Sequence, residues 1–349
     1  MSFDIEVYFY IMTNRTQQEI MQRWEADNSD TPLVSVRCTA YNHEPYIAQA
    51  LDGFLMQKTN FPFEVIVHDD ASTDRTAEII REYEARFPKI IKPIYETENQ
   101  YSKRDGSLRR IMDAACKGKY IAFCEGDDYW TDENKLQMQV DFLEGNQEYG
   151  MCYTMARQLI QKKQTFSKAL FGRPVADFND LLQNGNRIPT LTVMLRKSLH
   201  ERYRAEIHPE NKGWLMGDYP TWLYVAHESK VRFLDFVTSV YRVLDNSASH
   251  SKDFDKKAKF IISEFDIRLF FYNYTGITTD SLNDKKRLKL AFYAFLYKEK
   301  KRGIEYLDNI HIANIKEKKT KIKYIILKYS LLRKLYMSWI YYSFLIKRY

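Results

Sequence analysis

Between residues 33 and 143 short apolar runs alternate with stretches whose apolar residues recur at helical spacing. That alternation restricts this part of the chain to a parallel sheet with helices on both faces. Residues 33–41 read as a first strand. Ile47, Leu51, Phe54 and Leu55 follow at i, i+4, i+7 and i+8, a first helix. Residues 63–68 give strand two, and Ser72-Thr73-Asp74 supplies cap chemistry for a helix faced by Ile79, Ile80, Tyr83 and Phe87. Residues 90–95 give strand three and residues 108–115 a third helix, stopped by Lys117-Gly118-Lys119. Residues 120–124 give strand four, and Asp132 opens a helix with Leu136, Val140 and Leu143 on one face.

The second half is less regular. Residues 149–156 and 191–195 read as strands, 218–227 as a short helix, and 231–234 with 236–243 as a strand pair. Residues 254–310 read as helices, and a helix is expected around residues 17–26. The organisation expected is an N-terminal extension (1–31), a catalytic domain (32–252), a helical region (253–315) and a basic amphipathic tail (316–349).

Two of the apolar runs end in carboxylates, about 55 residues apart: His68-Asp69-Asp70-Ala71-Ser72-Thr73-Asp74 and Cys124-Glu125-Gly126-Asp127-Asp128. Ligands of open α/β sheets bind outside the carboxyl ends of the strands. Carboxylates crowded there repel one another unless a cation or polar ligand joins them. Hard oxygen donors in this pattern hold Mg²⁺ or Mn²⁺ together with phosphate oxygens, so the second cluster points to a metal-bound, phosphate-bearing substrate. Asp74 also reads as a helix cap. Strand one ends in Thr39-Ala40-Tyr41, where a small turn lets backbone approach a ligand and Tyr41 can stack on a base. Neither a Gly-x-Gly-x-x-Gly nor a P-loop pattern follows that strand, which counts against a dinucleotide oxidoreductase and a P-loop NTPase.

Charge is unevenly spread. Past residue 315, ten Lys or Arg face one acid, Glu317, for a charge of about +9, so the net +7 leaves about −2 for the rest. A near-neutral body argues against nucleic acid as partner, and the basic tail argues for an anionic membrane surface. Ile322, Ile325, Ile326, Tyr329 and Leu332 recur at helical spacing there, and residues 335–346 form an apolar, aromatic run too short to span a bilayer. The alternative is a helix packed on protein. The four cysteines form no Cys-x-x-Cys pair and read as buried, reduced thiols of a cytosolic protein. The first residues lack a signal-peptide pattern.

Taken together, Pro32-Leu33-Val34-Ser35-Val36 with Tyr41-Asn42, the run Asp69-Asp70-Ala71-Ser72-Thr73-Asp74-Arg75-Thr76, and Gly118-Lys119-Tyr120-Ile121-Ala122 with Glu125-Gly126-Asp127-Asp128-Tyr129-Trp130 resemble glycosyltransferase family 2, over about residues 32–250. The resemblance implies a GT-A fold, a Rossmann-like mostly parallel sheet with a C-terminal helical region. It implies inverting transfer of a sugar from a nucleotide sugar, a UDP-sugar, to an acceptor hydroxyl. With the basic tail, it implies a lipid-linked saccharide of a surface polysaccharide as acceptor and an enzyme that would be peripheral on the inner face of the cell membrane. Asp70, and with less weight Asp69, would hold the base, with Thr39 and Tyr41 beside it. Asp127 and Asp128 would bind Mn²⁺ or Mg²⁺ and the donor diphosphate. Glu125 stands where the family's leading Asp is expected, which makes it a contact for the donor sugar or ribose. Asp218, in Gly217-Asp218-Tyr219-Pro220, takes the place of the catalytic base. Arg242 would reach the diphosphate and His250 the metal. Two rival readings remain: a sugar nucleotidyltransferase, which should carry a Gly-rich basic loop after strand one, and a non-catalytic, membrane-docked nucleotide-binding module.

Overall fold

The computed structural model describes residues 15–24, 31–244 and 253–346. The chain divides into two compact units. The first takes in residues 1–159, 169–213 and 221–242, and the second residues 160–168, 214–220 and 243–349.

The first unit is built on one mixed sheet. Its strands are β1 (Val34–Ala40), β2 (Phe63–Asp69), β3 (Ile91–Tyr95), β4 (Tyr120–Phe123), β5 (Tyr129–Trp130), β6 (Tyr149–Ile160), β7 (Met194–Arg196) and β8 (Lys230–Val243), in the order β3-β2-β1-β4-β7-β6-β8-β5. The pairs β3-β2, β2-β1 and β1-β4 are parallel. This is the half that the periodicity predicts, and its strands are buried on both faces as crossover helices require: every residue of β2 is buried. Beyond β4 the sheet turns antiparallel, with Tyr120 opposite Arg196 and Met151 opposite Leu195. The expected strand pair at 231–234 and 236–243 is a single strand, β8. Asp235 between them costs the ladder nothing, because only the backbone of that residue is needed to continue it.

The helices follow the alternation. They are α1 (Gln17–Met21), α2 (Ile47–Leu55), α3 (Thr76–Arg86), α4 (Gln100–Lys103), α5 (Ser107–Ala115), α6 (Lys135–Gly145), α7 (Phe178–Asn184), α8 (Lys197–Ile207) and α9 (Asp218–Glu228). The expected first helix at 17–26 is the single turn of α1, and residues 25–30 lie outside the described ones. Apolar faces of α2, α3 and α6 meet the strands in one cluster containing Ile47, Leu51, Phe54, Ile80, Leu136, Val140 and Leu143 with Val34, Val36, Val65 and Val67. Where the 117–119 turn enters β4, a Cβ on Gly118 would stand 2.5 Å from the Ser35 nitrogen, so glycine alone fits. All four cysteines are buried and free, and burial raises each thiol's pKa.

One core residue breaks the apolar rule. Lys135 is fully buried in α6, donates to Gln139 Oε1 at 2.7 Å and lies 4.2 Å from the centroid of the Trp130 ring. Burial pushes its ammonium down to about 8. A base whose folded pKa lies below its unfolded value near 10.4 penalises folding most below pH 8, and the penalty fades as pH rises toward 10. Wild type should therefore gain about 2 kcal/mol relative to Lys135→Met between pH 8 and 10, read from paired urea denaturation curves. Parallel curves at the two pH values would show that Lys135 is already neutral.

The second unit holds the helices α10 (Phe254–Thr275), α11 (Leu282–Leu296), α12 (Lys300–Asp308), α13 (Lys318–Lys328) and α14 (Ser330–Ile346). Asp253 caps α10 through the N–H groups of Asp255 and Lys256, and Gly276 ends it at φ 69°. No helix among the described residues is long and apolar enough to cross a membrane.

Candidate functional site

The carboxyl ends of β2, β1 and β4 lie side by side. Ala40 is in register with Asp69, and Arg37 with Phe123. The pairing continues past the strands: the Asp70 N–H donates to the Ala40 carbonyl at 2.9 Å, and the Gly126 N–H to the Thr39 carbonyl at 2.9 Å. Thr39 and Ala40 thus stand between the two acidic runs, which the sheet brings to one edge.

The loops after β1 and β2 are laced together. The Asn42 N–H donates to Ser72 Oγ, and Asn42 Oδ1 accepts from the Thr73 N–H. The Glu44 N–H donates to Asp74 Oδ2 at 3.1 Å, while Asp74 Oδ1 takes the Thr76 N–H at 3.0 Å. Burial acts to raise Asp74, but these hydrogen bonds prevail and its pKa is lowered. Asp74 thus stands one residue before Arg75, the cap position of α3, and ties that entry to the loop after β1 rather than capping the helix itself. Tyr41 is 46 % exposed at the rim of this lattice.

The neighbouring aspartates at the end of β2, Asp69 in the strand and Asp70 just past it, differ sharply. Asp70 spends both oxygens on backbone: Oδ1 accepts the Gln100 N–H at 2.6 Å and Oδ2 the Tyr101 N–H at 3.0 Å. It braces the N-terminus of α4, a short helix that sequence periodicity does not reveal. Asp69 is as deeply buried, but only its Oδ2 has a partner, the Ser72 N–H at 3.4 Å, and Oδ1 has none. A buried acceptor left unpaired is costly unless a ligand completes it. The weight expected on Asp70 as a ligand contact thus sits poorly with its geometry, and Asp69 is the carboxylate with an oxygen to offer.

At the second cluster, Glu125 and Asp127 are partly exposed and Asp128 is buried. The short strand β5 explains this. Tyr129 pairs with Val240 and Trp130 with Ser239, which carries β8 past the acidic turn. The Arg242 N–H then donates to Asp128 Oδ1 at 2.7 Å, and Arg242 Nη1 to the Asp127 carbonyl at 2.8 Å. Its Nη2 reaches Gln49 Oε1, and the guanidinium sits 4.5 Å from the Tyr129 ring centroid and 5.0 Å from that of Tyr46. Arg242 is thus a buried strut that fixes the turn, and its Nε is left without a partner. Burial, with the charges of Asp127 and Glu125 added, raises the Asp128 carboxyl. His250 lies outside the described residues.

His43 is the residue that sequence reasoning missed here. Its backbone N–H is held by Thr76 Oγ1 at 2.8 Å, and its Nδ1 is buried without a partner. Burial lowers its pKa against the pull of Asp127, Asp74 and Asp69. A Cβ on Gly126 would stand 3.0 Å from His43 Nδ1 and 3.0 Å from Ile47 Cδ1, so a side chain there would press on both by a few tenths of an ångström. The run Tyr41-Asn42-His43-Glu44 signals a structured loop, but not which of its side chains meets the second acidic cluster.

Among the described residues no group of three His, Cys, Asp or Glu is arranged to cage a metal. Asp127 and Asp128 are instead one or two carboxylates beside an edge where a diphosphate can supply the remaining oxygens. That is the way Mg²⁺ and Mn²⁺ are usually held in phosphate sites, so the donor set fits such an ion.

Asp218 belongs to the second unit, as the first residue of α9. It is partly exposed, between buried Met216 and buried Tyr219. In the same unit Trp214 packs edge-on against Phe270 at 5.2 Å, and the Leu215 N–H donates to Ser263 Oγ at 2.8 Å, which ties the segment before Asp218 to α10.

The sequence model described as Glycosyl transferase family 2 matches residues 35–203. An uncharacterized protein of Mycobacterium tuberculosis is 35 % identical over 230 residues, 64 % of this chain and 62 % of the relative. The match thus spans less than two thirds of that relative's length. The Bacillus subtilis putative teichuronic acid biosynthesis glycosyltransferase TuaG is 28 % identical over 70 % of this chain and 92 % of its own. The Escherichia coli UDP-Glc:alpha-D-GlcNAc-diphosphoundecaprenol beta-1,3-glucosyltransferase WfaP is 28 % identical over 63 % of this chain and 81 % of its own. Among solved structures, S. aureus TarS in complex with UDP superposes with a TM-score of 0.52 at 17 % identity, covering 86 % of this chain and 91 % of that one. With its acidic strand ends and its GT-A-like sheet, the chain carries over residues 35–203 a region that matches the Glycosyl transferase family 2 model, and it is similar to relatives named as glycosyltransferases.

Proposed function

We propose that this protein transfers a sugar from a UDP-sugar to a hydroxyl of a lipid-linked saccharide, with inversion at the anomeric carbon. The observation that carries the donor part is the unpaired Asp69 Oδ1, buried at the end of β2 beside the Thr39-Ala40-Tyr41 turn. A uracil offers one imide N–H, which an ionised carboxylate accepts, and the exposed Tyr41 ring would cover the base. The relatives WfaP and WfgD, named for UDP-glucose and a diphosphoundecaprenol-linked sugar, support this donor and this class of acceptor. A lipid-linked acceptor places the enzyme on the inner membrane face.

In this reading Asp127, together with Asp128, would hold Mn²⁺ or Mg²⁺. The bound ion offsets charge on the leaving nucleoside diphosphate. Arg242 and Gly126 keep the turn in place, Glu125 meets the sugar or ribose, and Thr39 brings backbone to the nucleoside. Asp218 takes the proton from the acceptor hydroxyl.

Isothermal titration with UDP, CDP and GDP tests the donor. Wild type should prefer UDP, and Asp69→Ala should weaken UDP binding ten- to 100-fold, the weight of a hydrogen bond to a charged group (about 1.5–3 kcal/mol). Asp70→Ala should instead lower the melting temperature, because it releases α4. Unchanged UDP affinity in Asp69→Ala removes the base-binding role.

A further inference from the structure

The basic C-terminal segment has two faces, and the structure separates them. One face is part of the second unit's core. Leu327 and Ile315 are fully buried in a cluster with Leu288, Ala291, Leu307 and Ile310, and Tyr324, Tyr336 and Met337 pack against it. Three cations fasten the same face: Lys323 lies 4.1 Å from the Phe292 ring centroid, Arg333 lies 4.4 Å from that of Phe295 and donates to the Leu327 carbonyl at 2.7 Å, and Lys328 pairs with Asp308 at 2.6 Å. The segment is therefore a docked helical pair, not a detachable arm.

The other face is apolar and exposed. On α14, Leu331, Leu332, Leu335 and Trp339 recur at i, i+1, i+4 and i+8, which puts them on one stripe, and they are 69, 42, 63 and 62 % exposed. On α13 and the joint after it, Ile322, Ile325 and Tyr329 recur at i, i+3 and i+7 and are also exposed. Lys316, Lys318, Lys319 and Lys334 stand in solvent along the same segment.

We propose that this face docks onto an anionic lipid bilayer, lying flat at the headgroup level. Charge decides the occupant. A second copy would bring one +9 segment against another, whereas an anionic leaflet attracts it. The indole and phenol rings of Trp339 and Tyr329 suit a boundary that is apolar on one side and wet on the other. The inference deepens the proposed function by naming the surface at which the lipid-linked acceptor is met, and it stands on geometry independent of the donor site.

The test is co-sedimentation of the full-length protein with vesicles of phosphatidylcholine alone or with 30 % phosphatidylglycerol, with UDP binding measured on the same samples. Wild type should bind only the anionic vesicles, less as salt rises. Lys316→Gln with Lys318→Gln and Lys319→Gln should weaken binding on the order of 100-fold, about fivefold per cation. Leu335→Ser with Trp339→Ser should weaken it at least tenfold. Every replaced residue lies outside the buried cluster, so circular dichroism and UDP affinity should stay at wild-type values. Equal binding to neutral vesicles, or wild-type binding by either variant, overturns the proposal. So does a wild-type dimer that the Leu335→Ser, Trp339→Ser variant converts to monomer, which assigns the face to a second copy. Loss of UDP binding in all samples would instead strike the donor reading.

Discussion

Asp218→Asn should leave nucleotide binding at its wild-type level and cut sugar transfer by roughly 10²–10⁴-fold, the usual weight of general-base catalysis. In a single displacement the acceptor hydroxyl must lose its proton as its oxygen reaches the anomeric carbon, and only a carboxylate in the ionised form accepts it at neutral pH. Asn keeps the shape and the helix-start position while removing the base. Asp218 opens α9 directly after Gly217, so a purely structural reading makes it a first-turn acid that favours the helix dipole. The two readings separate cleanly. A dipole role predicts a melting temperature lowered by the lost charge, with catalysis kept. The catalytic role predicts an unchanged melt, an unchanged UDP affinity by titration and a collapse of transfer to a lipid-linked acceptor. Normal turnover in Asp218→Asn would move the base elsewhere.

The parallel half of the sheet was legible because burial on both faces leaves a blunt signal. Runs such as Phe63-Glu64-Val65-Ile66-Val67 can hardly be surface, and the observed ends of β1, β2, β3 and β4 fall within a residue of those expected. The antiparallel half was harder for a physical reason. The three-residue strand β7 is preceded by a 3-10 turn at Thr190–Thr192, so residues 191–195 read as one strand although only their end pairs. The helices α7 and α8 went unseen because Asp, Asn, Arg and Glu crowd their exposed faces and leave few apolar positions to count. The acidic runs were legible as a site because chemistry concentrates there. What sequence could not assign was the division of labour within a run. Asp69 and Asp70 are adjacent and alike, and only the fold shows that α4 consumes both oxygens of Asp70. Arg242 is separated from Asp128 by more than a hundred residues, so its role as a strut depends on the pairing of β5 with β8. The tail likewise carried two alternatives, a membrane face or a packed helix. Its packed side is plain in the position of Leu327, which makes deletion of residues 316–349 a poor experiment, because it would open the core of the second unit.

Asp127→Ala and Asp128→Ala should both abolish most transfer, yet for different reasons that binding and melting measurements can tell apart. Asp127 is partly exposed at the sheet edge, and its side chain is proposed to meet the cation. Its loss should remove the gain in UDP affinity that Mn²⁺ gives the wild type, lower turnover at least tenfold, and leave the melting temperature unchanged. Chelator added to wild type should give the same UDP affinity as Asp127→Ala. Asp128 is buried and accepts the Arg242 N–H at 2.7 Å. Removing it orphans that donor and leaves Arg242, itself buried, with less to neutralise it, a cost of about 1–3 kcal/mol. Asp128→Ala should therefore melt several degrees lower and lose Mn²⁺-dependent binding as a consequence of a slackened turn. Asp128→Asn can still accept from the Arg242 N–H, and should recover stability before it recovers activity. If Asp127→Ala keeps the full Mn²⁺-dependent gain in UDP affinity, the cation is held elsewhere and the second acidic cluster is a structural turn.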